Sequence, residues 1–577
     1  MTFSLQHAIM QRSSSRAPPW DARRLRDRGV EPNRVSEPIG LTPPDVDATP
    51  APPLERSGRF AVLVATGIFL SRIFGLVRGR VLAHYLGTSA AADAFGIALR
   101  GPNFLQNLFG EGVLSASFIP EYVRLAATGD AARSRQLASA VVTLLAMVVA
   151  VLVALGVLFA PALVSVIAPG FSGPTRDLTI LLVRILFPGT GLLVLSAWCM
   201  GVLNSHRRFL LSYAAPVAWN IAIIAALLWA GTSGRDNASI AIAAAWGAVI
   251  GSGMQLLVQL PGVLRLLGGF EPAFGAVRVE VRRVFSGLAP VLVGRGGVQI
   301  SSWVDAIIAS LLPTGAAAVL INYAQPLYLL PVSLFGMSVS AAELPAMSRV
   351  SGDERTIHEA LGKRLHDGLR QITFFVVPSA VAFIALGGEL AGAVYQSGDF
   401  ERSDTLLVWG TLAAYAIGIV ASTQGRLYAS AFYALRDTTT PVRYSFVRIG
   451  VSLTLGLSAA LWMPGLLGID RVWGVVGLAA AAGIGGLVEF LLLRRAMRRR
   501  LGVHVHTPVA VLFAAAAAAA AAAWGVKWLI GMIHPLLSGI LTLGTFGIVY
   551  LALTAALGIP EMRIVTDRLK RLGGRKS

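Results

Sequence analysis

From Phe60 onward the chain is a succession of apolar runs separated by short polar breaks. Each approaches or exceeds the ~20 residues that a helix needs to cross ~30 Å of hydrocarbon. Lipid offers the backbone no hydrogen-bonding partner, so a run of this length must close its bonds within itself, as a helix does. Fourteen spans are expected, over 60–85, 90–117, 138–166, 177–203, 210–231, 238–264, 285–312, 315–345, 371–394, 404–433, 442–464, 471–493, 507–531 and 536–558. Span 2 is the least regular, because Pro102 and the glycines Gly110 and Gly112 fall inside it. Such breaks are tolerated at membrane depth only against protein or a wet cavity.

Composition excludes the soluble alternatives. Only 14% of residues are charged and 55% are apolar before the 61 glycines are added, against about 25% charged and about 45–50% apolar in ordinary soluble domains. Cys199 is the sole cysteine, which rules out a disulfide scaffold. A net charge of +19 would suggest nucleic acid in a soluble protein, but here its placement explains it without a nucleic-acid partner. Alternate loops and their flanks carry most of the basic residues, among them Arg133 and Arg135, Arg282 and Arg283, Lys363 and Arg364, and Arg494, Arg495, Arg498, Arg499 and Arg500. The opposite loops carry Arg176, Arg235, Arg402 and Arg471. Basic residues stay on the cytoplasmic side. The expectation is therefore an all-α polytopic protein of the inner membrane with both termini cytoplasmic.

Residues 1–58 hold eight arginines, nine prolines and no apolar run. They lack the core of a secretory leader and read as a disordered basic cytoplasmic arm. An internal repeat is visible beyond it. Leu86-Gly87-Thr88-Ser89-Ala90-Ala91-Ala92 is echoed by Leu312-Pro313-Thr314-Gly315-Ala316-Ala317-Ala318, and Leu108-Phe109-Gly110 by Leu334-Phe335-Gly336, at one constant offset. That offset covers six spans, an even number, so the repeats are parallel. The expected division is an N-lobe over 59–270 (spans 1–6), a C-lobe over 271–500 (spans 7–12), spans 13 and 14 over 501–560, and a basic cytoplasmic tail over 561–577. The two six-helix lobes would surround a central cavity.

No catalytic constellation and no metal-ligand spacing is found, so the chain reads as a non-enzyme. What stands out is charge placed where lipid makes it costly. An Arg, Lys or Asp at a helix centre costs about 2.5–3.5 kcal/mol on insertion scales, yet the first two spans contain Arg72, Arg78, Arg80, Asp93, Arg100 and Glu111. Arg184, Arg295, Asp305, Arg426 and Glu489 follow in later spans. Arg80 and Arg100 are expected to pair with carboxylates or to lie near an interface, and Glu489 to satisfy Arg448. Arginines clustered in one lobe need an anion or water to offset their repulsion. Arg72 and Arg78 are six residues apart and so point about 120° apart on an ideal helix. Either span 1 bends at Gly75 or the cavity is wide, and both suit a large anionic substrate.

Several segments carry a family resemblance. Ser71-Arg72-Ile73-Phe74-Gly75-Leu76-Val77-Arg78, Ala92-Asp93-Ala94-Phe95, Pro102-Asn103, Phe109-Gly110-Glu111-Gly112 and Ala116-Ser117-Phe118-Ile119-Pro120 resemble the MurJ/MviN family. Ala168-Pro169-Gly170-Phe171, Asn322-Tyr323-Ala324 and the stretch from Phe432 to Pro441 fit the same pattern, in order. The family comprises lipid II flippases of the multidrug/oligosaccharidyl-lipid/polysaccharide exporter superfamily. The resemblance implies transport of lipid II (undecaprenyl-pyrophosphoryl-disaccharide-pentapeptide) from the inner to the outer leaflet by alternating access. The polyprenyl tail would lie in a groove formed with spans 13 and 14. Membrane lipids and the cell-wall synthesis machinery are the implied partners. It places Arg72 and Arg78 at substrate-binding positions, with Asp93 and Glu111 orienting those arginines or gating the lobes.

The chain also departs from the pattern. Gly79 stands where the family commonly has Asp, and Gln106 and Pro326 stand where cavity arginines are expected. Arg295, flanked by glycines, is the candidate to restore the missing C-lobe charge. Asp305 matches an acidic position linked to sodium in some members, but span 11 offers no carboxylate partner. Dependence on a monovalent cation or on membrane potential stays open, with no other cofactor expected. Two other functions also remain: export of another polyprenyl-linked or anionic lipid, and a non-transporting cell-wall scaffold.

Overall fold

The computed structural model describes residues 54–105, 112–206, 208–271, 277–284, 303–350, 352–502, 509–531 and 533–562. Residues 59–577 fall in one unit by themselves. The predicted basic arm lies almost wholly outside the described residues, as do Arg295 and Glu111.

The described chain is helical, apart from one isolated bridge between Ser397 and Phe400. In order the helices are α1 (Leu54–Leu86), α2 (Ala90–Leu105), α3 (Gly112–Ala127), α4 (Ala131–Leu158), α5 (Ala160–Ile167), α6 (Gly173–Ser205), α7 (Phe209–Thr232) and α8 (Asn237–Leu267). They continue as α9 (Ala316–Ser348), α10 (Glu354–Ala385), α11 (Gly387–Tyr395), α12 (Arg402–Ala434), α13 (Thr439–Leu461), α14 (Gly474–Leu501), α15 (Val509–Ile530) and α16 (Pro535–Ala556). Short polar turns set the boundaries. Asp130 and Asp236 accept backbone N–H bonds at the starts of α4 and α8, and left-handed Gly268 and Gly502 end α8 and α14.

Among the described residues eleven helices are long and apolar enough to cross a membrane, against the fourteen expected. Spans 1, 2 and 7 make up the difference. The α1 helix carries Arg72, Arg78 and Arg80 within three turns. Span 2 stops at Leu105 and resumes at Gly112, with 106–111 outside the described residues. Of span 7 only the stretch from 303 onward is described. A feature the sequence did not forecast lies in α9, where Val319–Ala324 and Val332–Met337 are wound as π-helix. Pro326 and Pro331 lack an N–H, and wider i→i+5 turns beside them help to re-pair the neighbouring carbonyls.

Helix pairing repeats along the chain. In the first half α6 packs on α2, α4 and α8, and α8 packs on α7. In the second half α12 packs on α9, α10 and α14, and α14 packs on α13. This is the same scheme, one repeat later. The α15 and α16 helices pack on each other and against α10 and α11. Large apolar side chains remain exposed on the outside, including Trp229, Trp462 and Trp528 near the ends of α7, α13 and α15. Tryptophans stationed at helix ends are what a membrane–water interface selects.

The apolar core is asymmetric. One buried cluster joins both halves through residues such as Leu86, Phe95, Ala317, Tyr323, Tyr395 and Phe400. A second is confined to the first half and 277–284, around Phe118, Leu137, Trp198 and Val284. A third unites α10, α15 and α16 around Phe374, Ala516 and Tyr550.

Candidate functional site

The α1 helix runs parallel to α7. A Cβ on Gly67 would stand 2.7 Å from Tyr213 Cβ, and one on Gly231 would stand 2.3 Å from the Tyr85 ring. Both contacts keep one register, and only glycine permits so close an approach. Helix α1 continues unbroken through Gly75, where a Cβ would meet nothing within 4 Å. Of the two geometries the sequence left open, a break of the helix at Gly75 is not what α1 shows.

The three α1 arginines have different surroundings. Arg72 is exposed, although it lies fourteen residues, roughly 21 Å, from the helix end at Leu86. It makes no ion pair among the described residues. Arg78 is half-buried, its guanidinium carbon 4.9 Å from the centre of the Trp219 ring on α7. Arg80 donates to the carbonyls of Ala393 (2.9 Å) and Val394 (3.0 Å) at the end of α11. That pairing satisfies its charge at a helix C-terminus rather than at the carboxylate expected. Gly79 also has a reason in packing. A Cβ there would stand 3.2 Å from Tyr395 Cε1, so the ring occupies the space a longer side chain would need.

Asp93 is 2% exposed, and its carboxylate accepts from the backbone N–H groups of Gly315 (2.7 Å) and Ala318 (2.6 Å). It thus caps the start of α9 from a helix 222 residues away in sequence. Around it, Asn322 donates to the Ala92 carbonyl (2.9 Å), Tyr323 Oη donates to the Gly87 carbonyl (2.5 Å), Thr88 Oγ1 donates to Asp404 (2.8 Å) and Asp399 N–H donates to the His84 carbonyl (2.9 Å). One end of the molecule is therefore sealed between the two halves. Asp93 faces backbone, with neither Arg72 nor Arg78 among its described hydrogen-bond partners.

Other ion pairs stay within residues 343–561 or tie residues 277–284, which belong to the expected C-lobe, to the first half. Arg133–Glu280 (3.1 Å) and Arg283–Glu121 (3.3 Å) do the latter, and Arg364–Glu343, Arg370–Glu561 and Arg500–Asp437 do the former. Among the described residues one set of hydrogen bonds between the halves gathers around Asp93, and Arg72 and Arg78 lie on the N-terminal side of this closure along α1.

A second polar group links α2 to the later helices. Arg100 donates to Gln325 Oε1 at 2.6 Å. Asp305 faces both Arg100 and Arg448. Arg448 also pairs with Glu489 at 3.2 Å, and Ser445 Oγ donates to the other oxygen of that carboxylate at 2.6 Å. The expected Arg448–Glu489 pair is thus present. No cluster of three His, Cys, Asp or Glu side chains suited to a metal occurs among the described residues. Arg184 and Arg426 are exposed along α6 and α12.

Two features escaped the sequence. Neither Trp219 as the partner of Arg78 nor the backbone groups beneath Asp93 carry a motif. Only the echo of Leu86–Ala92 at Leu312–Ala318 hinted that these two turns meet.

Comparison with known proteins bears on this geometry. A family model described as lipid II flippase MurJ matches residues 82–548. The chain belongs to the MurJ family. The lipid II flippase MurJ of Burkholderia cenocepacia is 32% identical over 456 residues, covering 78% of this chain and 85% of its own. A probable lipid II flippase MurJ of Vibrio cholerae is 28% identical over 520 residues, covering 86% and 95%. A solved MurJ structure in an inward closed conformation shares the fold with a TM-score of 0.69 at 24% identity, over 86% of this chain and 98% of that one. An inward-facing multidrug transporter of the MATE family shares the fold with a TM-score of 0.60 at 14% identity, over 77% of this chain and 99% of that one.

Proposed function

We propose that this chain flips lipid II from the inner to the outer leaflet of the cytoplasmic membrane by alternating access. Membership of the MurJ family supports the substrate. The observation that carries the mechanism is the seal between the halves around Asp93, with Arg72 and Arg78 beneath it on α1. A lipid-linked pyrophosphate cannot cross hydrocarbon unaided, because its phosphates and sugars would all lose water. Guanidinium groups meet phosphate oxygens through paired, charge-assisted N–H bonds, so Arg72 and Arg78 replace part of that lost solvation.

In this reading there are fourteen spans, with both termini cytoplasmic and the sealed end periplasmic. The recurrent pairing scheme supports two lobes, 59–270 and 271–500. The packing of α15 and α16 on α10 and α11, with Ile540, Leu541 and Ile548 exposed, supports a tail groove there. The driving force in this reading is the membrane potential or a monovalent cation. An inside-negative potential drives an anion outward by about 2.3 kcal/mol per charge per 100 mV.

The test is rescue of cells depleted of their own lipid II flippase, with lipid II exposure on the outer leaflet as readout. The parent rescues, whereas Arg72→Ala and Arg78→Ala accumulate in the membrane and do not. Rescue by the double variant would overturn the phosphate-binding role. A parent that reaches the membrane but leaves lipid II inside would point to a different lipid or to a scaffold.

A further inference from the structure

We propose that Trp219 is a positioning residue for substrate binding, holding Arg78 by its face so that its N–H groups stay free for an anion. The inference rests on the phosphate-binding reading of Arg78 and adds a residue to it.

Arg78 has no carboxylate partner among the described residues, and Gly79 supplies none beside it. What it has is the indole of Trp219, at 4.9 Å from guanidinium carbon to ring centre. That indole is itself fixed. Its Nε1–H donates to the Ala248 carbonyl on α8 at 3.1 Å. Behind it α8 approaches so closely that a Cβ on Gly251 would lie 2.8 Å from the Trp219 carbonyl oxygen. The ring is therefore placed by α8 and presented to α1.

The kind of contact matters chemically. A carboxylate binds arginine along its edge, occupying two of five in-plane N–H donors and cancelling its charge. An aromatic face binds the guanidinium plane and leaves the edge open. A site that must capture and then release a pyrophosphate gains from the second arrangement, because no resident anion competes.

The register sets the direction. With Gly67 beside Tyr213 and Tyr85 beside Gly231, Arg78 stands level with Ile224, and Trp219 lies five residues, roughly 7.5 Å, toward the N-terminal end of α1. Helical side chains lean toward their own N-terminus. On α1 that is also away from the seal, and Trp219 holds Arg78 pointing that way.

The test is a double-mutant cycle on the full-length protein in detergent, measuring lipid II binding to the parent, Trp219→Leu, Arg78→Ala and the double variant. Trp219→Leu weakens binding about tenfold in the parent, the upper range for a desolvated cation–π contact, and has no further effect once Arg78 is alanine. Trp219→Phe keeps a ring face and loses only about threefold. If the leucine variant does not accumulate, the phenylalanine variant is carried through the same cycle. Equal losses with and without Arg78 would make Trp219 merely structural and overturn the proposal, as would undiminished binding by Trp219→Leu. Failure of the parent to bind lipid II would instead overturn the functional reading on which the proposal stands.

Discussion

Replacing Asp93 with asparagine tests whether the sealed end is a gate. The carboxylate accepts two backbone N–H bonds at 2.7 and 2.6 Å in a site only 2% exposed. Hydrogen bonds to a charged acceptor are worth about 1.5–3 kcal/mol each, against about 1 kcal/mol for neutral ones. Asparagine keeps one acceptor oxygen but turns an NH2 toward the second N–H, so one bond is weakened and the other is lost. The closed state then loses about 2–4 kcal/mol. In the open state Asp93 faces water and loses little. Even the lower figure raises the open-to-closed ratio about 30-fold, at about 1.4 kcal/mol per decade. Ala317, only 1% exposed within the seal, is a suitable reporter as Ala317→Cys once Cys199, the sole native cysteine, is serine. An impermeant thiol reagent added from the periplasmic side labels this cysteine slowly in the parent and about 30-fold faster in Asp93→Asn, given that the gate opens and recloses faster than it is labelled. An unchanged labelling rate in a variant that reaches the membrane would refute the gate.

Two further predictions follow from loops and ends. In the same cysteine-free background Ser233→Cys, exposed after α7, reacts with the external reagent, whereas Ala132→Cys, exposed at the start of α4, reacts only after the membrane is opened; the reverse pattern would invert the topology. Asp437, between α12 and α13, has its carboxyl held below the ordinary 3.8, chiefly by the Thr440 backbone N–H, with the Thr440 hydroxyl and Arg500 adding to it. A depressed pKa stabilises the fold at pH values above the unfolded pKa, and that stabilisation disappears as pH falls through the folded one. The Tm gap between parent and Asp437→Asn is therefore full above about pH 5 and closes below 3.8; a gap independent of pH would refute the assignment.

Much of the architecture was legible because it depends on local properties. Apolar run length dictates spanning helices, and loop arginines dictate an orientation. The echo between Leu86–Ala92 and Leu312–Ala318 forecast that two turns are equivalent, and the structure brings them together beneath Asp93. The Arg448–Glu489 pair was legible too, since a lone charge at membrane depth demands a partner. Span 1 was legible as a long helix but not as an ordinary one, because the same arginines that mark a site lower its hydropathy. The π-wound stretches of α9 could not be foreseen, since proline announces a missing N–H without saying which turn will compensate.

By itself, then, the sequence determined that this is a helical membrane protein carrying uncompensated guanidinium groups within its first span, because hydropathy and charge are properties each residue brings with it. Only the tertiary structure decided what those groups meet. Arg80 is neutralised by the end of α11 while Arg78, two residues earlier, lies across an indole. Asp93 binds backbone N–H groups 222 residues away rather than an arginine. Spacing along one helix sets the directions of its side chains, but their partners come from other helices, and close packing at glycines decides which of those helices come within reach.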